Sequence, residues 1–89
     1  MPFYTYILFS QNFDRFYYGQ TENLSARLEY HNSGKVASTA PYIPWALFAY
    51  KQVDSRADAI KFEKKLKNLK SRKRVAAFII KNDFIKVLA

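Results

Sequence analysis

The sequence predicts an α/β fold of the α+β kind, ordered β-β-α-β-α-α around one small sheet. Three observations carry this. Two apolar runs near the start are joined by a short polar turn. Later stretches repeat apolar residues at helical spacing behind Ser, Thr or Asn caps. Eighty-nine residues leave room for a single core.

Phe3 to Phe9 is an unbroken aromatic and β-branched run, the pattern of a strand. Gln11-Asn12-Phe13-Asp14 is a polar turn, and Arg15 to Gln20 resumes as a second strand. Strands joined so closely form an antiparallel hairpin. Thr21 or Asn23 caps a helix that runs to about Asn32, with Leu24 and Leu28 as its buried stripe and Gly34 closing it. Lys35 to Pro44, rich in Ser, Thr, Ala and Pro, reads as a loop, and Trp45 to Gln52 as a third, mostly buried strand. Ser55-Arg56-Ala57-Asp58 resembles a capping box with Asp in place of Glu or Gln. The helix it opens reaches about Leu69, with Ala59, Phe62, Leu66 and Leu69 on one face. Ser71 caps a last helix through Ile80, and Asn82 to Ala89 is a short tail with no assigned structure. Without repeats or a linker, residues 1–89 are expected to form one domain with its core at about 3–80.

Composition narrows the function. Eight Phe, seven Tyr and one Trp supply the large buried areas a small core needs. The absence of cysteine excludes disulfides and thiolate metal sites. A formal charge of +8 on so short a chain favours polyanionic partners, the plain alternative being solubility. No apolar run approaches the roughly 18 residues of a spanning helix, so no membrane partner is expected. Met1-Pro2-Phe3-Tyr4 lacks the basic lead of a secretory signal, and a cytoplasmic location is expected.

Tyr4 and Tyr6 share one side of the first strand, whereas Tyr17 and Tyr18 point to opposite faces. Tyrosines in a small sheet are ordinarily core. Arg27 and His31, four apart, stack on a helix face that borders the Leu24/Leu28 stripe. A border position lets a side chain line a cleft. There a guanidinium can stabilise phosphate charge, and an imidazole can move a proton near neutral pH. Otherwise the pair is an exposed arginine and a satisfied histidine. Glu63 is the only acidic residue between Asp58 and Asp83. It is either an i,i+4 partner of Lys67 or a carboxylate ligand for Mg²⁺. Eight basic residues crowd Lys61 to Arg74, a density suited to DNA phosphates; Lys35, Lys67, Lys70, Arg72 and Lys73 are the expected nucleic-acid contacts.

Tyr4-Thr5-Tyr6, ten intervening residues, then Tyr17-Tyr18-Gly19 resembles the two-part motif of the GIY-YIG endonuclease superfamily. Arg27 and His31 follow within Ser25–Gly34, then Glu63 within Phe62-Glu63-Lys64-Lys65-Leu66-Lys67, then Lys70-Ser71-Arg72-Lys73. The pattern is similar to the small standalone bacterial members and covers about residues 3 to 80. It implies a three-stranded antiparallel sheet flanked by helices, and a divalent-metal DNA endonuclease, with repair or recombination as its setting. By the resemblance, Tyr6 would be general base toward water, with His31 as relay. Tyr17 would hydrogen-bond in the same site, and Arg27 would stabilise the pentavalent phosphate. Glu63 would hold Mg²⁺ or Mn²⁺, and Gly19 would permit close approach.

The chain departs from the pattern in places. Tyr4 replaces the first glycine and Tyr18 the second isoleucine of the motif. Gln20 lies where some members place an assisting lysine. Many members carry an asparagine about 12–15 residues after the glutamate, a window that here is Val75 to Phe78; Asn68 and Asn82 fall outside it. Two other readings therefore stand beside the nuclease. One is a nucleic-acid-binding module with little or no cleavage. The other is a protein-interaction domain whose basic helix docks acidic partners.

Overall fold

The computed structural model of the protein describes residues 2–88; Met1 and Ala89, the latter the end of the expected tail, lie outside it. The elements are β1 (Phe3–Ser10), β2 (Arg15–Thr21), α1 (Leu24–Asn32), a 3-10 turn (Ala40–Tyr42), β3 (Ala46–Val53), α2 (Arg56–Leu69), α3 (Arg72–Lys81) and β4 (Ile85–Lys86). The helices begin where capping chemistry requires. The side chains of Asn23, Ser55 and Ser71 accept from the backbone N–H of Ala26, Asp58 and Arg74, so each satisfies a donor that the first helical turn leaves open.

The sheet is antiparallel and has four strands in the order β2-β1-β3-β4, which corrects the expected three. The added strand lies in the expected tail, where Ile85 and Lys86 pair with Tyr50 and Ala49. Two residues with exposed side chains carry no alternation to read. Backbone pairing, a left-handed turn at Asp83 (φ 59°) and the buried Phe84 hold them in place.

Alternating side chains divide the core between the two faces of the sheet. On one face Ile7 and Ala49 meet Leu66 of α2, Val75 and Ile79 of α3, and Phe84. On the other, Tyr6, Leu8 and Trp45 meet Tyr17, Leu24 and Leu28. A bulge opposite Ile7/Leu8 leaves Phe48 unpaired in β3, and its ring joins the Ile7 cluster. The Thr5 hydroxyl donates to the Ala59 carbonyl at 2.8 Å and ties α2 to β1.

Helix α1 departs from its expected stripe. Leu24 and Leu28 are only partly buried, and the fully buried residue is His31, at 1% exposure. The expected border position for His31 is therefore corrected. The reason is the segment 33–44, which folds back over the helix end. Asn32 grips the backbone of Trp45 twice: its Oδ1 accepts from Trp45 N at 2.6 Å, and its Nδ2 donates to Trp45 O at 2.9 Å. The Ser10 hydroxyl holds Tyr42 O, and Trp45 Nε1 donates to Thr39 O. A helical wheel sees none of these long-range bonds.

Candidate active site

The β1–β2 register sets Tyr6 opposite Gly19, with Tyr17 on the same face of the hairpin. The Tyr6 and Tyr17 ring centroids lie 6.4 Å apart. A Cβ on Gly19 would overlap the Tyr6 hydroxyl and Cζ, so the phenol lies over a strand position that only glycine leaves open. His31 completes the aromatic group, 6.0 Å from the Tyr6 ring and 4.8 Å from that of Tyr17. Its Nε2 is hydrogen-bonded to the Tyr6 hydroxyl at 2.9 Å, and its Nδ1 to the Thr39 hydroxyl at 2.9 Å.

These groups border an open cleft of about 210 Å³ that Arg27, Gln20 and Glu63 also line. Helix α2 packs with the opposite core cluster, so Glu63 joins the cleft past the edge strand β2. All five expected catalytic side chains, from β1, β2, α1 and α2, thus meet in one place. A larger groove of about 590 Å³ adjoins through Arg27 and is lined by Tyr30 and Arg56. The smaller cleft is the one where burial shifts two titratable groups that touch each other, Tyr6 and His31, and it defines the candidate centre.

Electrostatics set the resting state. Burial pushes the Tyr6 phenol up from its ordinary range; Tyr17 adds to the push, Arg27 opposes it, and Glu63 adds again. Burial lowers His31, and the nearby Arg27 lowers it further. The pair therefore rests as neutral phenol against neutral imidazole. Glu63, one-fifth exposed, accepts from Lys67 Nζ at 2.6 Å, so the plain i,i+4 ion pair does form within the cleft wall.

The expected nucleic-acid contacts divide among separate surfaces. Lys67, Lys70 and Arg72 line a cleft of about 310 Å³ together with Arg15 and Tyr18, while Lys35 lies with Glu29 and Tyr30 along α1. Lys73 is exposed on α3. Arg72 is engaged by Asp14 at 2.6 Å, as Lys67 is by Glu63. Two contributors escaped the sequence reading. Thr39, fully buried behind His31, sits in a loop where no spacing marks it. Arg56, within the α2 cap, donates to Gln20 Oε1 at 2.9 Å and to Glu22 Oε1 at 2.6 Å, bracing the cleft's edge. Basic residues near Gln20 in space, not in sequence, were the signal to seek.

The window Val75 to Phe78 turns apolar side chains into the core through Val75 and Phe78. Asn82 caps α3 by donating to Phe78 O, and neither it nor Asn68 lines the cleft. Among the described residues no group of three or more His, Cys, Asp or Glu is placed to hold a metal ion. No helix among them is long and apolar enough to cross a membrane.

Comparison with known proteins bears on the fold and the family. A UPF0213 protein from Bacillus halodurans, solved in solution by NMR, is 29% identical, with a TM-score of 0.54 over 89% of this chain and 83% of that one. No curated protein matches the chain. The family model described as the GIY-YIG catalytic domain matches residues 2–76, which include every side chain of the cleft, and the chain belongs to that family.

Proposed function

We propose that the protein is a divalent-metal-dependent endonuclease that hydrolyses DNA phosphodiester bonds in the Tyr6–Glu63 cleft. Membership of the GIY-YIG family implies a nuclease-type function. The observation that carries the finer reading is the convergence of Tyr6, Tyr17, Arg27, His31 and Glu63 on one cleft.

The donor chemistry fits a magnesium-type ion of one particular kind. Glu63 is the single carboxylate of the cleft, a hard oxygen donor on its wall. Mg²⁺ is commonly held by one or two carboxylates, with substrate phosphate and water completing its shell. Glu63 would hold Mg²⁺ or Mn²⁺, which when bound neutralises charge on the phosphate. The protein's own groups do the rest. Arg27 stabilises the equatorial oxygens of the phosphate. Tyr6 takes a proton from the attacking water as its own passes to His31 Nε2, 2.9 Å away. Tyr17 hydrogen-bonds in the same cleft.

Lys35, Lys70 and Lys73 contact the DNA backbone, joined by Lys67 and Arg72. The ion pairs of these last two are half-exposed on the basic side, and such pairs are weak enough to exchange for phosphate. A cytoplasmic role in DNA repair or recombination suits such an activity. The competing reading is a DNA-binding module with little cleavage. One observation favours it: the window Val75 to Phe78 holds only apolar side chains.

A cleavage screen separates the two. Duplex, branched, flapped and single-stranded DNAs are incubated with Mg²⁺ or Mn²⁺, beside a Glu63→Gln variant. Cleavage that the variant loses, with metal-free DNA binding retained or tightened, is expected. Binding without cleavage of any substrate would leave only the module. Cleavage undiminished in a folded Glu63→Gln protein would remove the metal site.

A further inference from the structure

We infer that Thr39 is a positioning residue that fixes which ring nitrogen of His31 carries the proton, leaving Nε2 free to accept from Tyr6. The argument starts from three hydrogen bonds in series. Tyr6 hydroxyl to His31 Nε2 is 2.9 Å, His31 Nδ1 to Thr39 Oγ1 is 2.9 Å, and Thr39 Oγ1 to Val36 O is 3.4 Å. Only Val36 O has a fixed direction, since a carbonyl can only accept.

Each tautomer uses the series differently. With the proton on Nδ1, Tyr6 donates to Nε2, Nδ1 donates to Thr39, and Thr39 donates to Val36 O. Every proton then has an acceptor. With the proton on Nε2, the imidazole donates to the phenol oxygen and Thr39 turns to donate to Nδ1. The Tyr6 proton then has no acceptor within the series and must turn out to the cleft that Tyr6 lines. Only the first arrangement pairs every proton within the buried series and keeps the Thr39 bond to Val36 O, so it is favoured.

Thr39 is well placed to impose it. The residue is 0% exposed, and its backbone is held three times, by N–H donation to Val36 O at 3.1 Å and by acceptance from Tyr42 N and Trp45 Nε1, each at 3.0 Å. The consequence concerns proton flow and rests on the nuclease reading of the cleft. When water gives a proton to the Tyr6 oxygen, the O–H bond to the original phenol proton breaks and an Nε2–H bond forms. The imidazolium so made keeps Nδ1–H on Thr39, an acceptor already in place.

His31 is the chain's only histidine, so the imidazole nitrogens of ¹⁵N-histidine-labelled protein are unambiguous. At pH 7.5 the parent should show a protonated Nδ1 and an unprotonated Nε2. Tyr6→Phe should keep that state, because Nδ1–H still has Thr39 as its acceptor while an Nε2–H would face a ring that offers none. Thr39→Val should move the population toward Nε2–H and lower kcat more than it changes KM, and Thr39→Ser should restore both. A parent with Nε2–H overturns the inference, as does a Tyr6→Phe protein that switches tautomer. Either spectrum can overturn the inference even if Thr39→Val does not fold. A parent that cleaves no DNA would defeat the nuclease reading instead, with the spectra still deciding what Thr39 does.

Discussion

Gly19 faces Tyr6 across the β1–β2 ladder, and its missing side chain is the space in which the phenol lies. The glycine matters here for room and not for an unusual backbone, because no positive φ is found at this position. Strand pairing fixes the Cα separation, so the Tyr6 hydroxyl is delivered to His31 by the register of the hairpin itself. The tip of that hairpin, in turn, is held by Arg72, which donates to the Asp14 carboxylate and carbonyl at 2.6 Å each.

Gly19→Ala is therefore expected to displace the Tyr6 ring and break its bond to His31. Overpacking of this kind costs about 1–3 kcal/mol. Chemical denaturation should register that loss, and cleavage should fall further than the stability change explains. A variant with parental stability and parental cleavage would show that the phenol has room to spare.

The buried His31 makes stability depend on pH. Its folded-state pKa lies below the ordinary 6.5, so the unfolded chain binds the proton more readily. The contribution is fully present above about pH 6.5 and is lost as pH falls from there toward the lowered folded value. Thermal melts between pH 8 and pH 5 should show Tm falling below pH 6.5, and His31→Gln should flatten that part of the profile. The same slope in His31→Gln would assign the effect to other groups. Tyr6 acts at the opposite end: its raised value means stability is lost as pH climbs above about 10.

Backbone contact by the basic tract predicts a salt dependence. Log affinity for duplex DNA should fall linearly with log salt, by roughly 0.9 per phosphate neutralised. Replacing Lys70 and Lys73 by Ala should flatten the slope by about 2 × 0.9 if both meet phosphates, and weaken all sequences alike. Binding insensitive to salt between low and moderate concentrations would refute the electrostatic account.

What was legible in the sequence follows from the range of each interaction. Asn23, Ser55 and Ser71 announce helices because a cap bonds to a backbone group three residues on. The runs Phe3 to Phe9 and Arg15 to Gln20, joined by the short turn Gln11–Asp14, carried the hairpin. Ile85 and Lys86 were illegible as a strand because backbone pairing and one cation–π contact, Lys86 over the Phe48 ring, hold them to β3. The burial of His31 was illegible too, since it depends on a loop closed by Asn32 and Trp45, thirteen residues apart. Thr39 and Arg56 matter only through partners eight and thirty-six residues away. The candidate site was readable as a set of residue types, and its proton wiring only from the fold.

The most direct measurement of the central claim is single-turnover DNA cleavage by Tyr6→Phe at saturating Mg²⁺ or Mn²⁺. Phenylalanine keeps the ring that packs over Gly19 and removes only the hydroxyl that meets His31. The account predicts a folded protein with parental DNA affinity and a rate lower by roughly 10²–10⁴-fold, the usual worth of a general base. Cleavage at the parental rate would contradict it. If Tyr17→Phe were then inactive, the base would be Tyr17; if both variants stayed fully active, neither tyrosine would belong to the chemistry.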